Sequence, residues 1–308
     1  MGICRRAFIA SAAAAGAGCV LGRNSAVKEG DFVFLSDLHI EGAAPKYAYS
    51  KKRLEKTIDE ILSWSVKPKG VVCFGDIACS YGLKEDYVEA KRILSRLEKA
   101  GIPVHFTMGN HDRRSFFFEQ WPECAKRSLV SGKCVSVVDL GTADLVLLDA
   151  LKGTDDRAFN DMGPVEGGLD EAQLKWFEKF VAEAKRPFFV GSHQFVDLYV
   201  EGLKPIRRAA KSPYFVGWIY GHDHQFLPSF KVCDWGKEVV KPTLCLPSSG
   251  LWGDIGYVIF SPSEKGAVAK LNIQDFYFST PRPADRRPAY WDERVGDLKG
   301  KCAHFVYG

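Results

Sequence analysis

Short apolar runs recur through the first half of the chain, and segments with helical spacing of apolar positions separate them. The runs at residues 32–35, 71–74 and 103–108 each stop abruptly at polar residues, as buried strands do where they leave a sheet. Residues 51–65 and 83–100 place apolar side chains every three or four positions, which predicts two amphipathic helices. The resulting β-α-β-α-β order predicts a parallel sheet with right-handed crossovers.

The second half of the chain contains more strands. One helix is predicted at 169–184, and residues 276–308 have no period, so we expect an extended C-terminal appendage there. Strand-like runs follow at 134–138, 145–149, 187–190, 214–220, 225–232, 243–246 and 256–260. The pattern predicts a two-sheet α/β sandwich with helices on both outer faces.

The composition is that of an ordinary globular protein, with 46% hydrophobic and 26% charged residues. The net charge of +4 is too small to argue for binding to nucleic acid or to an anionic membrane. We therefore expect no nucleic-acid partner.

The first 25 residues are interpreted as a signal segment rather than as part of the fold. Arg5 and Arg6 precede a short Ala- and Gly-rich stretch, which resembles the signal of the bacterial twin-arginine route. The stretch is too short and too weakly apolar for a membrane span, so we expect an exported protein in the periplasm or at the cell surface. Cys19 follows Ala17 and Gly18 as in a bacterial lipoprotein, so a lipid anchor at Cys19 is an alternative, as is a disordered cytosolic tail.

Five of the predicted strands end in side chains that bind metals. Five of the seven histidines in the chain stand at these ends, whereas a single one would be unremarkable as a solvated turn residue. Ligands of open α/β sheets bind beyond the carboxyl ends of the strands. The residues concerned are Asp37, His39, Asp76, Asn110, His111, His193, His222 and His224.

These blocks read Asp-x-His, Gly-Asp, Gly-Asn-His-Asp, Gly-x-His and Gly-His-x-His, in that order. The series resembles the calcineurin-like metallophosphoesterase superfamily over roughly residues 31–262. The resemblance implies a four-layer α/β/β/α sandwich, two mixed sheets flanked by helices, in a metallophosphoesterase domain at 26–275 followed by the appendage at 276–308. It also implies a two-metal site at the strand ends, holding divalent or trivalent Mn, Fe, Zn or Ni.

Carried over residue by residue, the resemblance assigns each ligand to one of two metals. Asp37, His39 and His224 would bind one metal, Asn110, His193 and His222 the other, and Asp76 would bridge the pair. His111 would be the general acid, and Asp112 would hold its ring in orientation. A hydroxide bridging the metals would then attack a phosphomonoester or a phosphodiester.

Two positions depart from the family pattern. Cys79 stands where many members carry an acid or Asn, and residues 191–194 read Gly-Ser-His-Gln where His-Pro is common. Within the superfamily the chain loosely resembles the cyclic-nucleotide phosphodiesterase-like branch.

Two other interpretations of the same scaffold compete with a phosphoesterase acting on a small phosphorylated substrate. One is a catalytically weak protein that only binds metal or phosphate, although the ligand set with His111 and Asp112 looks complete. The other is a nuclease, which the absence of a basic stripe in the sequence disfavours.

Overall fold

A computed structural model describes residues 26–42, 48–151, 168–195, 204–234, 239–278 and 282–307. The signal segment at 1–25 lies outside these residues. So do residues 43–47, 152–167, 196–203, 235–238, 279–281 and 308. Among the described residues, no helix is both long and apolar enough to cross a membrane.

Twelve strands and seven α-helices make up the described parts of the chain, with a 3₁₀ turn at Ala284–Arg286. The strands are β1 Phe32–Leu35, β2 Gly70–Phe74, β3 Val104–Thr107, β4 Ser136–Asp139, β5 Asp144–Leu147, β6 Phe188–Ser192, β7 Phe215–Tyr220, β8 Leu227–Asp234, β9 Val239–Cys245, β10 Gly253–Ser263, β11 Gly266–Tyr277 and β12 Cys302–Val306. The helices are α1 Ala48–Ser63, α2 Lys84–Lys99, α3 Arg114–Gln120, α4 Pro122–Arg127, α5 Glu171–Glu183, α6 Lys204–Ala210 and α7 Ala289–Leu298.

The strands form two mixed six-stranded sheets. The first has the order β12-β11-β10-β1-β2-β3, and the second has the order β4-β5-β6-β7-β9-β8. β1, β2 and β3 are parallel, as the β-α-β-α-β pattern predicts. β5, β6, β7 and β9 are parallel in the second sheet, while β4 and β8 pair antiparallel at its edges.

Alternate faces of each strand contribute to different apolar layers. Phe34 and Phe74 of the first sheet pack between the sheets with Leu145 and Phe189 of the second. The opposite face of the first sheet packs on α1 and α2, whereas that of the second packs on α5 and α6. Burial of both faces explains why these strands read as continuous apolar runs. The four-layer α/β/β/α sandwich is therefore confirmed.

The C-terminal residues differ from the expected extended appendage. β12 hydrogen-bonds along β11 as an edge strand of the first sheet, and α7 packs Trp291 against Phe276 and Tyr277. The sequence conceals both elements because each is short. β12 buries only Ala303 and Phe305, and α7 has just two buried residues.

Candidate metal centre

The carboxyl ends of five strands meet at one edge of the sandwich, where they bring all the predicted ligands together. β1, β2 and β3 of the first sheet and β6 and β7 of the second carry them. Three sets of ligand atoms lie mutually within 4.8 Å, namely Asp37/His39/His224, His39/Asp76/His111 and Asp76/His193/His222.

Asp37, His39 and His224 form what we call the first ligand group. The Nε2 atoms of His39 and His224 are 3.2 Å apart, and Asp37 Oδ1 lies 3.0 Å from His224 Nε2. Asp37 Oδ2 accepts hydrogen bonds from Ser36 Oγ and from the backbone N–H of His222. Oδ1 is fully buried and accepts no hydrogen bond, so this oxygen is left to face the two imidazoles.

Asn110, His193 and His222 form the second ligand group. Asn110 Oδ1 lies 3.0 Å from His193 Nε2 and 2.9 Å from His222 Nδ1. His193 Nδ1–H donates to the carbonyl oxygen of Phe74 at 2.7 Å. That bond occupies Nδ1, so Nε2, which faces Asn110 Oδ1, is the nitrogen left to bind a cation.

Asp76 lies between the two groups. Its Oδ2 is 3.7 Å from His39 Nε2 and 3.1 Å from His193 Nε2. Its other oxygen, Oδ1, accepts a hydrogen bond from the backbone N–H of His111 at 2.9 Å. A single oxygen of Asp76 is therefore available to both groups at once.

The backbone of the site is strained. Seven non-glycine residues of the described chain have positive φ, and all of them belong to the site or its rim: Asp37, His39, Asp76, Ser80, His222, His224 and Trp252. Such conformations cost about 1–3 kcal/mol each and persist where the surroundings impose them. Packing of the surrounding fold therefore holds five of the ligands in an unfavourable backbone conformation.

Two glycines allow the strands to approach the ligands closely. A Cβ at Gly109 would overlap Asp76 Oδ1, and one at Gly221 would overlap Ser36 Oγ. Larger residues would push the carboxylates of Asp76 and Asp37 away from the imidazoles.

The surroundings of His111 correct one expectation. His111 Nδ1–H donates to the carbonyl oxygen of Ser80 at 2.8 Å. The Asp112 carboxylate instead accepts hydrogen bonds from the backbone N–H groups of Ile77, Ala78 and Gly109 and from the hydroxyl of Tyr87. Burial, reinforced by the charge of Asp76, raises the pKa of Asp112 to about 6. Asp112 thus fastens together the turns after β2 and β3, and the Ser80 carbonyl orients the His111 ring.

The two positions that depart from the family pattern have local structural roles. Ser192 Oγ donates to the carbonyl oxygen of Gln194 at 2.6 Å and accepts from Trp218 Nε1 at 2.8 Å, which fixes the turn around His193. Burial raises the pKa of the Cys79 thiol to about 11, and Cys79 belongs to none of the three ligand sets found among the described residues.

The electrostatics of the site favour positive charge at its centre. Burial alone would raise the pKa of Asp37, but the imidazoles of His224 and His193 outweigh it and hold that pKa well below its ordinary value. Burial opposes a charge on His193 as well, yet the carboxylates of Asp76 and Asp37 raise its pKa to about 10. The two carboxylates stay ionised and attract a cation.

The donor set fits two transition-metal ions. Imidazole nitrogens suit Zn, Fe, Mn and Ni, and carboxylate and amide oxygens complete such sites. Asp37 Oδ1 accepts no hydrogen bond, and a cation beside it would satisfy this oxygen. In the second ligand group, Asn110 Oδ1 and His193 Nε2 lie 3.0 Å apart, and a cation bound to both atoms would satisfy them. Asp37, His39, Asp76 and His224 would hold one ion, and Asp76, Asn110, His193 and His222 the other.

An open cleft of about 510 Å³ gives access to these groups. His39, Asp76, His111, His222 and His224 line it. Its lining also includes a second set of residues, which we call the aromatic part of the cleft: Gln225, Trp252, Gly253, Phe276, Phe278 and Arg294. Trp252 is 37% exposed at the cleft, whereas Trp121 is fully buried in the core.

Several solved structures show a distant similarity to this chain. The TT1561 protein of Thermus thermophilus is 12% identical, with a TM-score of 0.45 over 74% of this chain and 93% of that one. The NAD nucleotidase NadN of Haemophilus influenzae is 14% identical, with a TM-score of 0.44 over 87% of this chain and 55% of that one. The sulfate thiohydrolase SoxB of Thermus thermophilus is 13% identical, with a TM-score of 0.42 over 91% and 60%.

Likenesses this distant carry no argument about activity, and no curated protein is a significant match in sequence. The family model for the calcineurin-like phosphoesterases, however, matches residues 30–226, more than half of the chain. That match spans the strands and turns that carry Asp37 through His224, so the chain belongs to the calcineurin-like phosphoesterase family.

Proposed function

We propose that this protein is a hydrolase that uses two metal ions to cleave a phosphomonoester or phosphodiester of a small molecule. The observation that supports it most directly is the position of Asp76 Oδ2, which lies within 4 Å of an imidazole nitrogen from each ligand group. One shared carboxylate oxygen between two sets of neutral and anionic donors is the arrangement that a pair of adjacent cations requires. When bound, such ions supply Lewis acidity that activates water and neutralises charge on the phosphoryl group.

The protein's own residues would orient the ester and move a proton. The Ser80 carbonyl holds His111 Nδ1–H, which leaves Nε2 as the nitrogen available to the cleft. A protonated Nε2 would donate its proton to the leaving oxygen as the P–O bond breaks. His111 is also near His39 and Asp76, so a role as metal ligand is the competing assignment.

The test is His111→Gln, with metal content and two kinds of ester measured on the same preparation. As general acid, the variant should keep close to two metals per chain. It should lose ~10²–10⁴-fold in kcat on alkyl esters, whose alkoxide needs a proton. On p-nitrophenyl esters the loss should be much smaller, because that leaving group departs as an anion.

Loss of one metal from His111→Gln, or equal losses on both kinds of ester, would show that His111 is a ligand or a phosphate-positioning residue. Asp112→Asn is a second variant to compare with His111→Gln, because Asp112 does not hydrogen-bond to the His111 ring. Since Asp112 anchors turns rather than the ring, this variant should lose thermal stability and activity on both kinds of ester together.

Two competing functions are separated by simple assays. A protein that binds two metals and phosphate but turns over none of a panel of phosphomonoesters and diesters would be a binding protein. Strong competition by duplex DNA against a small model ester would indicate a nuclease and would contradict our expectation of a small phosphorylated substrate.

We also propose that the chain is exported through the twin-arginine route, on the basis of Arg5, Arg6 and the Ala- and Gly-rich stretch after them. Replacing both arginines with Lys should leave the precursor in the cytoplasm, as measured by cell fractionation. Unchanged export would exclude this route. Incorporation of a labelled fatty acid that is lost on Cys19→Ser would establish the lipid anchor.

A further inference from the structure

The cleft extends well beyond the ligands. Its volume of about 510 Å³ is lined by Trp252, Phe276 and Phe278 as well as by Asp76 and His111. Trp252 is 37% exposed and Phe278 is 58% exposed, so two large aromatic surfaces face the same space as the ligand groups. A substrate with its phosphoryl group at the metals would place its leaving group against these rings.

Trp252 is fixed in position relative to the first ligand group. Its ring lies 6.4 Å from the His224 ring, with 31° between the planes. The next residue, Gly253, has a φ of +72° and approaches His224 so closely that a Cβ would overlap the His224 carbonyl oxygen. That carbonyl oxygen accepts a hydrogen bond from the backbone N–H of Asp254 at 2.9 Å. The main chain next to Trp252 is therefore held directly against the main chain of His224.

Phe278 is held by a second aromatic cluster. Its ring packs edge-on against Phe276 at 5.5 Å, and Phe276 packs edge-on against the buried Trp291 of α7 at 6.3 Å. Both the end of β11 and α7 thus support this wall of the cleft.

Charge in the aromatic part of the cleft disfavours a second anionic group. Among the described residues that line the cleft, Arg294 is the only lysine or arginine. Its Nε and Nη2 already donate to the two oxygens of the buried Asp254 carboxylate at 2.9 and 2.8 Å. Asp223 adds a further, exposed carboxylate to the lining. A neutral group is therefore better matched to this part than a second phosphate.

We propose that Trp252 and Phe278 form a specificity subsite that binds a neutral, planar aromatic or heteroaromatic ring in the leaving group of the phosphoester. The inference rests on the proposed function, because it takes the ligand groups as the place where the phosphoryl group binds. Offset stacking on aromatic faces needs only a flat π-surface, which gives selectivity for rings with tolerance of their substituents.

The experiment compares wild type, Trp252→Ala and Phe278→Ala on phenyl phosphate and on glycerol 2-phosphate. Each substitution should raise KM for phenyl phosphate by roughly 5–30-fold, the ratio that corresponds to the loss of one stacking contact. Kinetic parameters for glycerol 2-phosphate should change by less than about twofold, because glycerol offers no ring to stack. Trp252→Phe should restore much of the preference. Phe230→Ala removes an aromatic ring that is 54% exposed outside the cleft and is the matched control.

Equilibrium binding tests the subsite independently of turnover. By calorimetry, wild type should bind phenylphosphonate at least fivefold more tightly than methylphosphonate, and both alanine variants should lose that difference. If wild type hydrolyses neither ester yet shows this preference, the proposed function fails and the subsite stands.

Three results would overturn the subsite. They are equal binding of the two phosphonates by wild type, equal loss on both substrates in the alanine variants, or a preference for a cyclic sugar phosphate over phenyl phosphate. Phe278→Ala alters a largely exposed side chain, so it remains informative if Trp252→Ala does not fold.

Discussion

The two ligand groups have the same number of side chains but differ in charge and in what orients their rings. The first has the Asp37 carboxylate, with an oxygen that accepts no hydrogen bond, where the second has the neutral Asn110 amide. The His224 side chain is 13% exposed, whereas His193 is fully buried, although His222 of the second group lines the cleft as well. The first ligand group therefore attracts a cation by the charge of Asp37, and the second presents neutral donors in its place.

The imidazole rings of the second ligand group are held in place more firmly than those of the first. The Phe74 carbonyl fixes the tautomer and orientation of His193 in the second ligand group. Among the described residues, neither His39 nor His224 makes a comparable bond to a backbone carbonyl. Since such outer contacts tune affinity as much as the ligands do, the second ligand group compensates by rigidity for the charge it lacks. For the proposed two-metal centre, the difference means that charge would contribute most to binding at the first ligand group and fixed orientation at the second.

The largest effect on metal binding and turnover is expected at Asp76, which lies between the two ligand groups. Asp76→Asn removes the anion shared by both groups while keeping the shape of the side chain. Both metals should bind more weakly, and turnover of every ester should fall by more than about 10³-fold. Metal analysis after dialysis, together with kcat, tests this. Retention of two tightly bound metals would show that Asp76 does not bridge.

Removing the negative charge of Asp37, or adding one at Asn110, should affect metal binding and turnover less than the change at Asp76. Asp37→Asn removes the anionic ligand of the first ligand group, so metal content should fall from two toward one per chain and kcat/KM by roughly 10²-fold. Asn110→Asp adds an anion to the second ligand group and should keep two metals.

Asp285→Asn, at an exposed carboxylate, controls for the loss of one negative charge. If Asp37→Asn and Asn110→Asp behave alike, charge does not distinguish the groups.

The smallest effects should come from the residues that support each group from outside. The Tyr87 hydroxyl donates to Asp112 and accepts from the Arg113 backbone N–H, so it steadies the turn that carries Asn110. Ser248 Oγ donates to the Asp37 carbonyl oxygen at 3.0 Å. Tyr87→Phe and Ser248→Ala should each cost about 1–2 kcal/mol of unfolding free energy.

Each of these two variants should also weaken one metal-binding step in a calorimetric titration by up to about tenfold, and a different step in each case. The double variant should show the sum of both effects, because the residues lie in separate networks. Weakening of the same step by both would contradict the division into two groups.

The parts of the fold and site that sequence predicted are those with a local signal. Continuous apolar runs such as residues 71–74 identify strands buried on both faces, and polar residues directly after them mark the edge where ligands converge. The orientation of His111 could not be predicted in this way, because its partner is the main-chain carbonyl of Ser80, which no side-chain motif encodes.

The aromatic part of the cleft was missed for a different reason. Strands β8 and β9 separate Trp252 in sequence from the last ligand, His224, and strands β8 to β11 separate Phe278 from it. The pairing of β10 with β11 sets Gly253 opposite Tyr277, which brings the neighbouring Trp252 and Phe278 to the same end of these strands. Arg294 reaches the cleft from α7, whose two buried residues are too few to give a helical period. Contacts that depend on long-range pairing leave no periodic pattern in the sequence around them.

The pairing of β1 with β10 has a consequence for how the chain is made. Phe32 lies opposite Phe260, so one side of the first strand has no partner until roughly 230 residues more have been synthesised, a delay on the order of ten seconds or longer at usual elongation rates. During that time β1 has an open edge, and the halves of the metal centre are not yet joined. The first sheet, which supports Asp37 and His39, can therefore be completed only after β10 has left the ribosome.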